Sequence, residues 1–158
     1  MGYGFLKWKE LVNIAVTILI LATMVFLRPM LTLITGSEAP LAAVDGKSML
    51  PTLREGDLVF SYKPKPSEIN VGDVVIYRRG STLIIHRVMA VFNEGTYTCY
   101  LVKGDNNPMV DPALPPCKSG IPYSNIEGKV IEVSGYILKL PYLGYYSLWL
   151  NNLVKGDI

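Results

Sequence analysis

Histidine is almost missing from this chain, with His86 the one example in 158 residues. Chemistry that needs an imidazole must therefore use that ring. Cysteine is nearly as scarce: Cys99 and Cys117 stand without C-x-x-C spacing, and one histidine cannot complete a zinc site with them. No metal is expected. Two states of the pair stay open, a single disulfide in an oxidising compartment or two free thiols in a loop-rich region. Charge is thin as well, at 18% of residues, where about a quarter is usual. A net charge of +2, with no long run of lysine and arginine, excludes a phosphate-tracking surface, so nucleic acid is not an expected partner. Repeats and low-complexity tracts are absent too.

Apolar sequence is abundant, and much of it lies near the N-terminus. Residues 11–27 read LVNIAVTILILATMVFL, and after Arg28 and Pro29 the apolar character resumes as MLTLIT, ending at Thr35. Crossing a bilayer takes about twenty residues, so residues 11–35 are expected to be a transmembrane anchor in contact with membrane lipid. Arg28 would snorkel toward headgroups, and Pro29 would bend or end the helix near the outer interface. A cleaved signal peptide would have a shorter apolar core, and the superficially suitable Ala39 is followed by Pro40. A buried core helix would carry a polar face, which Asn13, Thr17 and Thr23 do not make. Lys7 and Lys9 precede the run, and Arg28 alone lies between it and Lys47. The positive-inside tendency then makes residues 1–10 a short cytoplasmic N-terminus and places everything from about Gly36 outside.

Residues 36–135 alternate short apolar runs with turns. Strands are expected at 57–62, 73–77, 82–92, 96–102 and 129–133, with Arg78-Arg79-Gly80-Ser81 as one connecting turn. Residues 106–125 hold five of the eleven prolines and are expected to be an irregular loop. The pattern implies a mostly β domain outside the cytoplasm. Residues 136–158 form an apolar, aromatic C-terminal segment interrupted by Pro141 and Gly144. The uninterrupted remainder is too short to span, and an interfacial or core-packed helix is expected.

Three short segments carry candidate chemistry. Ser48 lies in DGKSMLPT, where Gly46 lets the chain turn and Pro51 stiffens the backbone just beyond the serine. Its hydroxyl is a poor nucleophile unless a base removes the proton, and by itself it reads as a turn residue. His86 lies in LIIHRV, where period-2 alternation sets Ile84, His86 and Val88 on one face and Ile85 and Arg87 on the other. A ring held on a rigid apolar strand suits a positioned base, although a half-buried structural histidine has the same pattern. The third segment, KGDNNPMVDP, brings Asp105 and Asp111, either able to orient a histidine or to cap an Asx-rich turn. Asp73, at a strand start, reads as a turn cap.

Taken together in this order, Ser48-Met49-x-Pro51 after a span, GDVV at 72–75, HRV at 86–88, and GDNN at 104–107 followed by Asp111 resemble type I signal peptidases. The likeness is to the archaeal and endoplasmic-reticulum branch, in which histidine replaces the lysine base, and it runs from the anchor to about Tyr136. It implies a signal-peptidase-like β domain with Ser48 as nucleophile, His86 as general base and Asp111 as the third catalytic group, with Asp105 supporting the loop. One departure is visible. Many members have Ser-Gly-Ser where this chain has Gly46-Lys47-Ser48, so the first hydroxyl, a candidate oxyanion donor, is missing.

The resemblance implies a membrane-bound serine endopeptidase that removes signal peptides from secretory preproteins after small residues, without a cofactor. Its substrate-binding residues are not identifiable at this level. Two other readings compete. A serine–lysine protease of the same broad fold would use Lys103, and a membrane-tethered β domain would bind secreted chains without cutting them.

Overall fold

The computed structural model describes residues 3–155. Met1 and Gly2, at the tip of the expected N-terminal tail, and residues 156–158, the end of the expected C-terminal segment, lie outside the described residues. Helix α1 (Tyr3–Thr35) runs through Pro29 rather than stopping there. It bends by 41° between Lys7–Thr23 and Val25–Thr35. Proline lacks the N–H that would bond the Val25 carbonyl, and its ring crowds that carbonyl, so the weak point falls about one turn earlier. Of the two outcomes expected at Pro29, the helix takes the bend. Neither arm alone is long and apolar enough to cross a membrane, whereas the two together are, by length and composition. Thr17 and Thr23 return their hydroxyls to carbonyls one turn back, at 2.8 and 2.7 Å, which hides them from an apolar solvent.

A buried set of hydroxyl contacts joins the end of α1 to the sheet. Ser37 Oγ donates to the Glu127 carbonyl at 3.0 Å, and Ser61 Oγ donates to the Ala39 carbonyl at 2.6 Å. Gly128 has to be glycine here, because a Cβ would lie 2.6 Å from Ser61 Oγ.

Among the described residues ten strands succeed the helix: β1 (Leu41–Ala43), β2 (Leu58–Tyr62), β3 (Val74–Arg79), β4 (Thr82–Glu94), β5 (Tyr97–Lys103), β6 (Ile121–Pro122), β7 (Ile126–Val130), β8 (Glu132–Val133), β9 (Tyr136–Ile137) and β10 (Lys139–Leu140). The main sheet runs β1-β2-β7-β3-β4-β5-β6, with β10 also on β2, and β8–β9 form a separate hairpin. All pairings are antiparallel. The central strand β3 is buried on both faces. Val74 and Ile76 pack with Val44, Met49, Leu53 and Val59 on one side. Val75 and Tyr77 pack with Val88, Tyr100 and Ile126 on the other.

The strands expected at 57–62, 73–77, 82–92 and 96–102 correspond to β2 through β5. The one expected at 129–133 is instead divided, since β7 begins three residues earlier and Ile131 separates it from β8. Strand β1 was not legible, because three residues between an apolar helix and a glycine turn carry no periodicity. Residues 106–125 are largely irregular, as expected, and Cys99 and Cys117 are joined by a disulfide with 6.0 Å between their Cα atoms. Helix α2 (Gly144–Lys155) closes the described chain and packs on β1. The Gly144 amide donates to the Gly56 carbonyl at 2.9 Å, and Tyr145 covers Gly56 so closely that a Cβ there would lie 2.2 Å from its ring. Tyr146 and Trp149 remain exposed.

Candidate active site

The segment after β1 turns back at Gly46, whose φ is +89°, and buries Met49 and Leu53 in the core. That burial pins the turn and leaves Ser48, just before it, half-exposed. The acidic loop sits directly on this turn. The Asn106 amide donates to the Ser48 carbonyl at 2.8 Å, and Asn106 Nδ2 donates to the Lys47 carbonyl at 3.2 Å. Gly104 permits the approach, since a Cβ there would lie 2.6 Å from the Ser48 carbonyl oxygen.

His86 lies opposite Val75 in the β3–β4 register and is 6% exposed. Its Nδ1 meets Asp111 Oδ2. Asp111 is held by its own amide, which donates to the Val102 carbonyl at 2.9 Å, and by the Tyr77 hydroxyl, which donates to Oδ2 at 2.9 Å. Burial, then the neighbouring Asp111 carboxylate, push the Tyr77 phenol well above the usual range. Arg79 stands over the Tyr77 ring with 5.9 Å to the centroid and donates to the Pro112 carbonyl.

Asp105 faces elsewhere. Arg87 Nε and Nη2 grip its two oxygens at 2.8 Å each, and Thr52 Oγ1 donates to Oδ2 at 2.5 Å. Burial opposes the charge on Asp105, but the Arg87 guanidinium and the Thr52 hydroxyl more than offset it, so the carboxyl is held below its ordinary value. This fork ties the turn after Ser48 to the strand that carries His86.

The structure thus brings His86 and Asp111 into contact and rests the Asp105 loop on the Ser48 backbone. Among the described residues no hydrogen bond joins Ser48 Oγ to His86. Lys103 Nζ donates to the Asn107 carbonyl at 2.9 Å, which occupies it within the loop. Asp73 accepts from the Asn70 amide at 2.7 Å and pairs with Lys129 at 2.6 Å, as befits a turn cap. No group of three or more histidine, cysteine or acidic side chains is placed to hold a metal among the described residues. Tyr77, Arg87 and Thr52 were missed as site residues. The alternation that placed His86 also puts Val75 and Tyr77 on one face of β3, a signal that could have found the tyrosine.

The chain matches the Peptidase S24-like family over residues 16–130, which takes in Ser48, His86, Asp105 and Asp111. Among curated proteins it is 35% identical over 147 residues to the signal peptidase complex catalytic subunit SEC11 of Chaetomium globosum, covering 87% of this chain and 83% of that protein. The Neurospora crassa subunit is 32% identical with the same coverage. The Schizosaccharomyces pombe subunit is 30% identical, covering 77% of this chain and 72% of its own. The chain belongs to the SEC11 signal-peptidase family.

In this SEC11-family chain, Ser48 lines a groove of about 300 Å³ between residues 43–45 and residues 82–85. Among the described residues no further strand pairs with the backbone edge of either wall. Strand β1 ends the sheet, and β4 pairs with β5 only from Arg87 onward. Beyond β1 the surface opens into a second cleft of about 520 Å³, lined by Ala42, Leu58, Ile76 and Ile85 and reaching Arg28 and Tyr146.

Proposed function

We propose that this chain is a membrane-bound signal peptidase, a serine endopeptidase in which Ser48 is the nucleophile, His86 the general base and Asp111 the carboxylate that orients it. The observation that carries this reading is the pairing of the sole histidine, through Nδ1, with Asp111, one residue past the strand segment that faces Ser48 across the groove. That pairing leaves Nε2 as the ring nitrogen available to a hydroxyl. Contacts between nucleophile and base commonly tighten only when substrate is bound.

In the proposed reaction Ser48 Oγ attacks the scissile carbonyl and His86 Nε2 takes its proton. The tetrahedral oxyanion collapses to an acyl-enzyme as His86 protonates the departing amine, and the same ring then activates water to release the acid. No step calls for a cofactor. An extended preprotein segment would add to the two free edges of the groove, with the small residues before the cut set among Ala43, Val44 and Ile85. Asp105 acts at one remove, by holding the loop and the Thr52 turn in place.

Residues 11–35 would span the membrane with residues 1–10 in the cytoplasm, while residues 36–135 work outside it. Residues 136–155 would rest against the domain and the lipid interface through the exposed Tyr146 and Trp149. Confining enzyme and substrate to one surface raises their effective concentration. The test is single-turnover cleavage of a preprotein. Ser48→Ala and His86→Ala should each lose about 10⁴-fold or more while melting normally. Undiminished cleavage by folded Ser48→Ala would defeat the proposal. Preprotein binding without cleavage by the wild type would instead identify a non-catalytic tether.

A further inference from the structure

We propose that Tyr77 is a positioning residue for this site, fixing the Asp111 carboxylate, and through it the His86 imidazole, by the hydrogen bond its phenol donates. The inference rests on the reading of His86 as general base and adds a residue to it.

Tyr77 Oη lies 2.9 Å from Asp111 Oδ2, the same oxygen that meets His86 Nδ1. The side chain is fully buried in the apolar cluster of Val75, Val88 and Ile126. Phenylalanine would fill that space equally well, and a buried hydroxyl is costly unless it is bonded. Asp111 is the partner that justifies the hydroxyl.

The phenol keeps its proton, because burial and then the adjacent carboxylate both disfavour phenolate. It is therefore a permanent donor over the range in which an imidazole titrates. A carboxylate only accepts, so Oδ2 takes one hydrogen from the phenol and one from Nδ1. That arrangement holds the ring in the tautomer whose Nε2 can accept the serine proton. Arg79 lies over the Tyr77 ring and anchors the residue after Asp111 through the Pro112 carbonyl. The other nearby charges are engaged elsewhere: Arg87 with Asp105 on the opposite face of β4, and Lys103 with the Asn107 carbonyl.

The phenol also draws charge from Asp111. Without it Oδ2 keeps only the hydrogen from Nδ1, and the carboxylate loses the contact that fixes its position against the ring.

The single histidine makes this directly measurable. Imidazole NMR of the full-length protein in detergent reports His86 alone, with no dependence on catalysis. Tyr77→Phe should move the Nδ1 and Nε2 resonances of the neutral ring away from a single Nδ1–H tautomer and lower kcat for preprotein cleavage by about 3–10-fold with KM unchanged. Tyr100→Phe is the matched control. It removes another buried phenol hydrogen bond, to the Pro66 carbonyl at 3.1 Å, and should lower the melting temperature without moving either readout. A folded Tyr77→Phe protein whose His86 ring-nitrogen resonances stay at the wild-type positions overturns the proposal. If the wild type cleaves no preprotein, the functional reading fails, and the ring-nitrogen resonances of His86 still decide the role of Tyr77.

Discussion

Lys103 and His86 stand on neighbouring strands, yet their side chains meet different partners. The Lys103 ammonium is spent on the Asn107 carbonyl, so Lys103→Ala should reduce preprotein cleavage only severalfold through loop order, whereas Asp111→Asn should cost ~10²–10⁴-fold by presenting the wrong tautomer. Loss of activity in folded Lys103→Ala with near-normal His86→Ala would reverse the assignment. Asp105 supplies a pH-dependent term. Its carboxyl is held below the ordinary value in the folded protein, so its contribution is present above the unfolded value near ~3.9 and fades as pH falls through the folded one. Asp105→Asn should therefore lower stability at neutral pH by about 1–2 kcal/mol, a figure kept small because the pair is partly exposed. In thermal melts the gap from wild type should close in acid, and a gap independent of pH would contradict the Arg87 fork as its source. Gly104 is the tightest point of the site. Adding a methyl 2.6 Å from the Ser48 carbonyl forces the loop off the turn, so Gly104→Ala should destabilise by about 1–3 kcal/mol and depress cleavage further than the stability loss explains.

At the scale of elements, the disulfide and the loop it closes act as one unit. Cys99 sits in β5 and Cys117 in the irregular segment, so the bond brackets the stretch that carries Asp105 and Asp111. A closed loop of this size contributes ~3 kcal/mol by restricting the unfolded chain. Replacing both cysteines with alanine should lower the melting temperature accordingly and weaken cleavage more than a distant substitution of equal cost. Thiol alkylation of protein from its native membrane should label neither residue, and labelling of both would show the bond does not form there. Secondary structure in the sheet was legible because β2 to β5 alternate or run apolar over five residues or more. The boundary of β7 was not, since Gly128 packs beneath Ser61 and gives no strand signal of its own. At Pro29 the sequence left two outcomes open, a bend or an end. Proline weakens the turn before it, and a helix with enough residues on both sides bends there and continues.

For the whole molecule, the arrangement matters because three non-adjacent segments must meet near one surface. A bent helix of membrane length leads directly through Ser37 and Ala39 into β1, whose last residue, Ala43, lines the Ser48 groove, so the groove opens close to where the helix ends. Protease added to right-side-out cells or spheroplasts should digest residues after Gly36, and protection until lysis would invert the topology. Sequence alone determined the mostly β class, the apolar helix, the single usable imidazole and the face of β4 on which it stands, because each comes from local periodicity or from scarcity. It left Asp105 and Asp111 chemically equivalent, the two thiols undecided and Tyr77 unnoticed. Only the tertiary structure separated these. Which carboxylate reaches the histidine, and which the arginine, depends on how the 104–111 loop folds over β4 and the Ser48 turn, a long-range packing decision with no periodic trace in the chain.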